Sequence, residues 1–176
     1  MKKMILFGLL ALCPPGTFAQ PAAQVQEMKK LDFLVGEWRG EGWTEFVPGQ
    51  RRTASVTEKA QSKLDGTLLL LEGLGKTKPP GKQEEIVVHH ALGVISYDAN
   101  AKLYRLKSWL ADGRSTDAEA SFIEGGAFQW RFQAPQASIR YTLKLNEKGD
   151  WFERGEMSLD GKMWRQFHEM TLQRIK

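Results

Sequence analysis

Leu31-Asp32-Phe33-Leu34-Val35-Gly36-Glu37-Trp38-Arg39-Gly40-Glu41-Gly42-Trp43 decides the fold. Its first half continues an apolar spacing that starts at Met28, and Leu31, Phe33, Leu34 and Val35 read as the end of an amphipathic helix over residues 24–34. Gly36 is the expected stop, because a residue that tolerates positive φ is a common helix C-cap. Alternation follows, over a predicted strand at 38–47: Trp38, Gly40, Gly42 and Phe46 share one side, and Glu37, Arg39, Glu41, Trp43 and Glu45 the other. Glycine weakens a strand interior and so marks a bend or a close backbone approach. An inner face that runs large, small, small, large suits a strand that curls at the start of a small barrel.

Beyond residue 47 no helical period returns, and short alternating runs follow one another with turn signals between them. Strands are expected at 52–64, 67–76, 85–97, 103–110, 116–123, 128–132, 138–145, 151–158 and 164–175. Their turns carry Asp65-Gly66, Pro79-Pro80-Gly81, Asp98-Ala99-Asn100, Asp112-Gly113, Gly125-Gly126, Pro135, Lys148-Gly149 and Asp160-Gly161. Short turns make neighbours antiparallel, and a long meander removes its two edges by closing. The expected fold is all-β: a single up-and-down antiparallel barrel of about ten strands behind one short capping helix, with a flattened sandwich or half-open barrel as its rival.

The stretch Gly36-Glu37-Trp38-Arg39-Gly40-Glu41-Gly42, with Pro48-Gly49 after it, resembles the opening strand of the nitrobindin-type heme-binding β-barrels. It resembles still more a group of secreted bacterial lipocalin-like (calycin-type) barrels of unknown function. That group also shows stretches similar to Ala91-Leu92-Gly93-Val94-Ile95-Ser96-Tyr97-Asp98, Ala111-Asp112-Gly113-Arg114 and Glu169-Met170-Thr171-Leu172. The resemblance spans nearly the whole chain after residue 19 and implies a barrel with a hollow lumen; a fold alone names no activity.

Lys2 and Lys3 precede nine apolar residues, Met4 to Leu12, and Thr17-Phe18-Ala19 supplies small residues for a signal peptidase. The expected domains are therefore a signal peptide, 1–19, and a barrel, 20–176. The protein is expected to be periplasmic or secreted and to have no transmembrane segment after signal removal. A lipoprotein anchored through Cys13 is the rival, disfavoured by Leu12 before it and Pro14 after it. Cys13 is the single cysteine, so the chain from Gln20 has no disulfide and no thiol nucleophile. Loss of Lys2 and Lys3 lowers the formal net charge from +4 to +2, too little to point to a nucleic-acid partner.

Aromatic residues cluster on single strand faces: Phe128, Trp130 and Phe132 on one, Ile139, Tyr141, Leu143 and Leu145 on another. They fill a core or line a cavity. Trp38, Phe128, Trp130, Phe132, Tyr141, Arg140, His90, His168 and Met170 are the candidate lumen residues for a small hydrophobic or amphipathic ligand. His89 and His90 are adjacent in a predicted strand and must point to opposite sides. Glu72, between Leu70 and Leu74, is expected to be buried and to act as an acid or to pair with an inward Arg140 or Arg154. Glu153 and Glu156 fall on opposite faces and cannot act together. No Gly-x-Ser-x-Gly elbow, P-loop or His-Glu-x-x-His occurs, so an enzyme is not favoured. A ligand-binding barrel without catalysis is expected first; an envelope structural or interaction module and a small-lipid enzyme are the rivals. The final run His168-Glu169-Met170-Thr171-Leu172-Gln173-Arg174 is similar to the last strand of nitrobindin-type proteins, whose proximal heme ligand is a histidine there. That resemblance implies heme as a possible cofactor and His168 as its axial ligand.

Overall fold

The structure is a computed structural model that describes residues 22–176. The expected signal peptide, its cleavage site after Ala19, and Cys13 lie outside the described residues. Ten antiparallel strands close into one up-and-down barrel in which each strand pairs with its neighbours in sequence and β1 pairs with β10. They are β1 (Gly36–Thr44), β2 (Arg52–Lys63), β3 (Leu68–Thr77), β4 (Ile86–Asp98), β5 (Leu103–Leu110), β6 (Ser115–Phe122), β7 (Phe128–Ala134), β8 (Ala137–Leu145), β9 (Trp151–Ser158) and β10 (Arg165–Arg174). One α-helix, α1 (Ala22–Lys29), precedes them. Among the described residues no helix is long and apolar enough to cross a membrane.

The helix is shorter than its apolar spacing suggests. Regular α-structure ends at Lys29, and Asp32–Leu34 forms a separate 3-10 turn. The break swings Met28, Leu31 and Leu34 under one end of the barrel, where all three are buried. Trp38 Nε1 donates to the Leu34 carbonyl at 2.7 Å, and the Tyr104 hydroxyl donates to the Glu27 carbonyl at 2.9 Å. These bonds satisfy polar groups that burial would otherwise penalise. The helix thus closes one end, and the five hairpins that open at residues 45, 78, 111, 135 and 159 ring the other, which we call the mouth.

Gly40 and Gly42 face inward on β1, opposite Leu172 and Met170 of β10. A Cβ on Gly40 would run into the Thr171 carbonyl and sit 2.9 Å from the Leu172 Cα; one on Gly42 would lie 2.9 Å from the Met170 Cβ. The strand curls tightly against β10 because these two positions carry no side chain. Phe46 does not share that inner face. The strand ends at Thr44, and Phe46 lies in the first mouth hairpin, exposed, with its ring centroid 5.2 Å from that of Phe167.

The interior differs along its axis. At the closed end Trp38, Trp151, Phe128, Leu143, Ile95 and Leu172 are fully buried. Trp38 meets Trp151 edge-on at 5.7 Å, and Tyr104 meets Phe128 edge-on at 5.2 Å. This half is a packed core. Towards the mouth several inward positions of β3 and β4 are small: Gly73 pairs with Ala91, Gly75 with His89 and Gly93 with Leu71.

Candidate functional site

Opposite that wall of small residues stand the aromatic side chains of β7 and β8. Trp130 stacks on Tyr141 with centroids 4.2 Å apart and planes within 8°, and Phe132 continues the stack 5.9 Å from Trp130. All three face inward yet remain partly exposed, as do Glu58, Leu71, Glu153 and His168. Inward side chains that keep solvent contact line a space that water enters. Solvent therefore reaches these side chains in the mouth-side half, beside a second buried cluster of Ala137, Ile139 and Phe167, while the closed half is filled.

Two carboxyl groups project into this space. Glu58 follows Ala54 and Val56 on the inner side of β2, and Glu153 follows Trp151 on β9. Gly73, across from Glu58, makes room for it: a Cβ there would lie 2.5 Å from Glu58 Oε1. Burial raises Glu58 to about 8, helped by the nearby Glu153 carboxyl, and burial raises Glu153 to about 7. The Trp151 indole N–H lies close enough to ease the charge on Glu153, but it closes no hydrogen bond of normal geometry among the described residues.

His168 enters the same space from β10. A bulge between Gln166 and His168 shifts the register there, so the adjacent Phe167 and His168 both pack inward and Gln166 turns out. Strict alternation would put Phe167 opposite His168 and Gln166 beside it. Gly155 provides the space, because a Cβ there would lie 2.8 Å from the Tyr141 ring and 2.9 Å from the His168 Cβ. The His168 and Tyr141 rings stand 5.7 Å apart, and His168 Nε2 lies 3.9 Å from Glu153 Oε1. That separation is beyond hydrogen-bond reach. Burial lowers His168 to about 4, with His89 adding to the effect and the Trp43 carbonyl and Glu169 opposing it. Burial also pushes the Tyr141 phenol up, next to Glu153.

Of the residues singled out from the sequence, Trp130, Phe132, Tyr141 and His168 face the lumen towards the mouth, whereas Trp38, Phe128 and Met170 are buried in the packed core. His90 and Arg140 do not belong to it. His90 pairs with outward Leu74 and is exposed; His89 is the inward member of that pair, at the rim, its pKa lowered by enclosure first and by Arg114 next. Arg140 lies on the outer face of β8 over the Trp164 ring, with Nε donating to Glu156 at 2.8 Å. Arg154 donates to the other oxygen of Glu156 at 2.6 Å, so this arginine pair holds an outer carboxylate. Glu72 is exposed on the outer face of β3, not buried. Its leucine neighbours misled because alternate leucines of Leu68–Leu71 face outward.

Sequence reasoning passed over Glu58 and the inward side of Glu153. The signal was present: Ala54-Val56-Glu58-Ala60 and Trp151-Glu153-Gly155-Met157 are mostly apolar faces interrupted by one acid. No group of three or more His, Cys, Asp and Glu side chains suited to a metal ion occurs among the described residues. A depression of about 540 Å³ bounded by Gln24, Leu64, Tyr97 and Arg105 lies at the closed end, away from these groups.

Solved structures share this barrel. The crystal structure of Rv2717c from M. tuberculosis superposes with a TM-score of 0.63 at 12% identity, covering 85% of this chain and 97% of that one. The S-type phycobiliprotein lyase CPES from Guillardia theta superposes with a TM-score of 0.59 at 14% identity, covering 87% of this chain and 93% of that one. Both are ten-stranded lipocalin-like barrels. No family model and no curated protein matches the chain. Likeness at this identity shows the fold alone.

Proposed function

We propose that this protein is an exported, non-catalytic barrel that holds a small, largely apolar or amphipathic ligand in the mouth-side half of its lumen. One observation carries the reading: inward Trp130, Phe132 and Tyr141 stay partly exposed opposite Gly73, Ala91 and Gly93, while the floor beneath them is sealed. The stack offers an apolar face, and protonated Glu58 and Glu153 supply hydrogen-bond donors that orient a polar group on the ligand. An enzyme would call for inward His, Glu and Arg together. Arg140 and Arg154, the arginines that the sequence offered to an inward acid, lie outside the barrel, and Arg174 caps the Phe33 and Val35 carbonyls at the closed end, which supports binding as the first reading. Titrating fatty acids, porphyrins and aromatic compounds against tryptophan fluorescence tests the reading, with Trp130→Phe identifying the reporter. Saturable quenching that is lost in Trp130→Phe is expected; no response to any compound overturns it.

Heme held by His168 is the second reading, favoured by an inward, half-buried imidazole that burial keeps neutral, the form that ligates iron. His168 would supply the axial nitrogen and the Trp130–Tyr141 stack the apolar wall, while the group itself would bring iron-centred ligand or electron chemistry. Hemin added to the purified protein is then expected to give a sharp Soret band that His168→Ala abolishes while leaving the fold intact. No band in the parent, or a band that survives the substitution, removes this reading.

A further inference from the structure

We propose that the mouth of the barrel docks on an anionic lipid surface, whatever the lumen holds. Large apolar side chains are left exposed on three consecutive hairpins of the mouth. Leu159 and Met163, between β9 and β10, are 83% and 77% exposed, and Phe46, between β1 and β2, is 63% exposed beside exposed Val47. Ile86, Val87 and Val88 follow at the start of β4. Because β10 pairs with β1, β1 with β2 and β2 with β3, these hairpins form one continuous arc of the rim. Arg165 binds two of them together, its guanidinium donating to the Glu45 carbonyl at 2.9 Å and the Phe46 carbonyl at 3.0 Å. The two remaining mouth hairpins carry Ala111-Asp112-Gly113-Arg114 and Pro135-Gln136, with no large apolar residue. At the closed end exposed Leu64 and Ile123 sit on turns that are not adjacent.

Charge on the same arc has one sign in excess. Arg52, Lys76, Lys78, Lys82 and Lys162 make no ion pair among the described residues. Of the acids there, Glu45 pairs with Arg51, and Asp160 accepts the backbone N–H groups of Lys162 and Met163. Glu84, Glu85 and Asp160, whose charge the neutral N–H groups do not cancel, offset three of the five cations and leave an excess of two. Apolar tips interleaved with unpaired lysines fit a bilayer whose headgroups are anionic: tips enter between headgroups, and ammonium groups stay at phosphate level. The tips stand on separate hairpins with cations between them, so they form no contiguous apolar core inside a polar rim of the kind a stable protein interface has. Lipid headgroups rearrange around each tip.

Sedimentation of the chain from Gln20 onward, which includes every described residue, with vesicles of phosphatidylglycerol or phosphatidylcholine tests the proposal. Binding to phosphatidylglycerol that weakens with added salt is expected, with little binding to phosphatidylcholine. Replacing Leu159 and Met163 together with serine, or Lys78 and Lys82 together with glutamine, is expected to weaken it about tenfold or more. Leu64→Ser with Ile123→Ser at the closed end is expected to leave it unchanged. Thermal melts establish that each variant is folded, and the lysine pair, lying in a loop, gives an arm independent of apolar packing. No binding to phosphatidylglycerol, equal binding to both lipids, or mouth variants that bind as the parent does overturns the proposal.

Discussion

Glu153 and His168 stand 3.9 Å apart in the lumen without forming an ion pair, because burial moves them in opposite directions. It raises the carboxyl to about 7 and lowers the imidazole to about 4. Between about pH 4 and pH 7 the proton therefore rests on the acid and the histidine is a bare base. The lumen is a largely uncharged space built from groups that are charged elsewhere.

This makes stability depend on pH in a defined direction. Folded Glu58 and Glu153 titrate at about 8 and about 7, against 4.5 for ordinary glutamates. Between those values the folded barrel binds protons that the unfolded chain has lost, so stability falls as pH rises. His168, lowered from 6.5 to about 4, acts the other way, but only between those two values. Above about pH 6.5 the acids act alone. The melting temperature is expected to fall from there to about pH 8.5, and Glu58→Gln is expected to flatten the upper part of the fall. A flat or rising profile in the parent protein would refute the buried-acid account.

The two inward glycines of β1 make a second expectation. Valine at Gly40 would put its Cβ against the Thr171 carbonyl and the Leu172 Cα, and valine at Gly42 would press on the Met170 Cβ. Backbone cannot swing aside as a side chain does, so Gly40→Val is the costlier of the two. Losses of about 1–3 kcal/mol are expected, with Gly40→Val at the upper end or beyond. Denaturant unfolding measures both, and unchanged midpoints would mean that β1 and β10 do not approach as described.

The outer arginine pair separates fold from site. Arg140 contacts Glu156 and Trp164 on the outside of the barrel, and the Glu156 side chain is only 10% exposed. Arg140→Ala is expected to cost about 1–2 kcal/mol through a partly screened, charge-assisted bond and lost stacking. It is expected to leave ligand-induced fluorescence changes as they are in the parent. A selective loss of ligand response at unchanged stability would return Arg140 to the lumen.

The alternation of β1, the regular turn signals and the single leading apolar stripe were enough to read a closed ten-stranded barrel. Strand ends mostly fell within two residues because Gly, Pro and Asp mark the hairpins. The site was legible only where alternation holds. Trp130, Phe132 and Tyr141 lie on regular strands, and their inward faces follow from period two. The bulge before His168 breaks that period and no sequence signal announces it, so alternation alone misplaces Phe167 and Gln166. Glu58 was hidden by its polar outer neighbours Thr57 and Lys59, and its partner space at Gly73 belongs to another strand. Glu72 was misread because a run of four leucines has no period, and burial cannot be assigned within it.

Whether the mouth-side lumen is empty enough to bind a ligand can be decided at Gly93. This residue faces inward on β4, opposite Leu71, and a Cβ added to it would meet Leu71 at 3.5 Å, an ordinary contact. Valine there fits an extended strand better than glycine, and from that Cβ its two methyl groups extend towards the lumen beside Leu71. In an open lumen Gly93→Val is therefore expected to leave stability unchanged or to raise it by up to about 1 kcal/mol. Ligand affinity is expected to drop, because the methyl groups occupy space opposite the Trp130–Tyr141 stack. In a filled lumen the same change is overpacking and costs about 1–3 kcal/mol. One melt and one fluorescence titration on this variant separate the cases. Destabilisation would show a solid core and end the carrier reading, and retained stability with full affinity would place the ligand elsewhere.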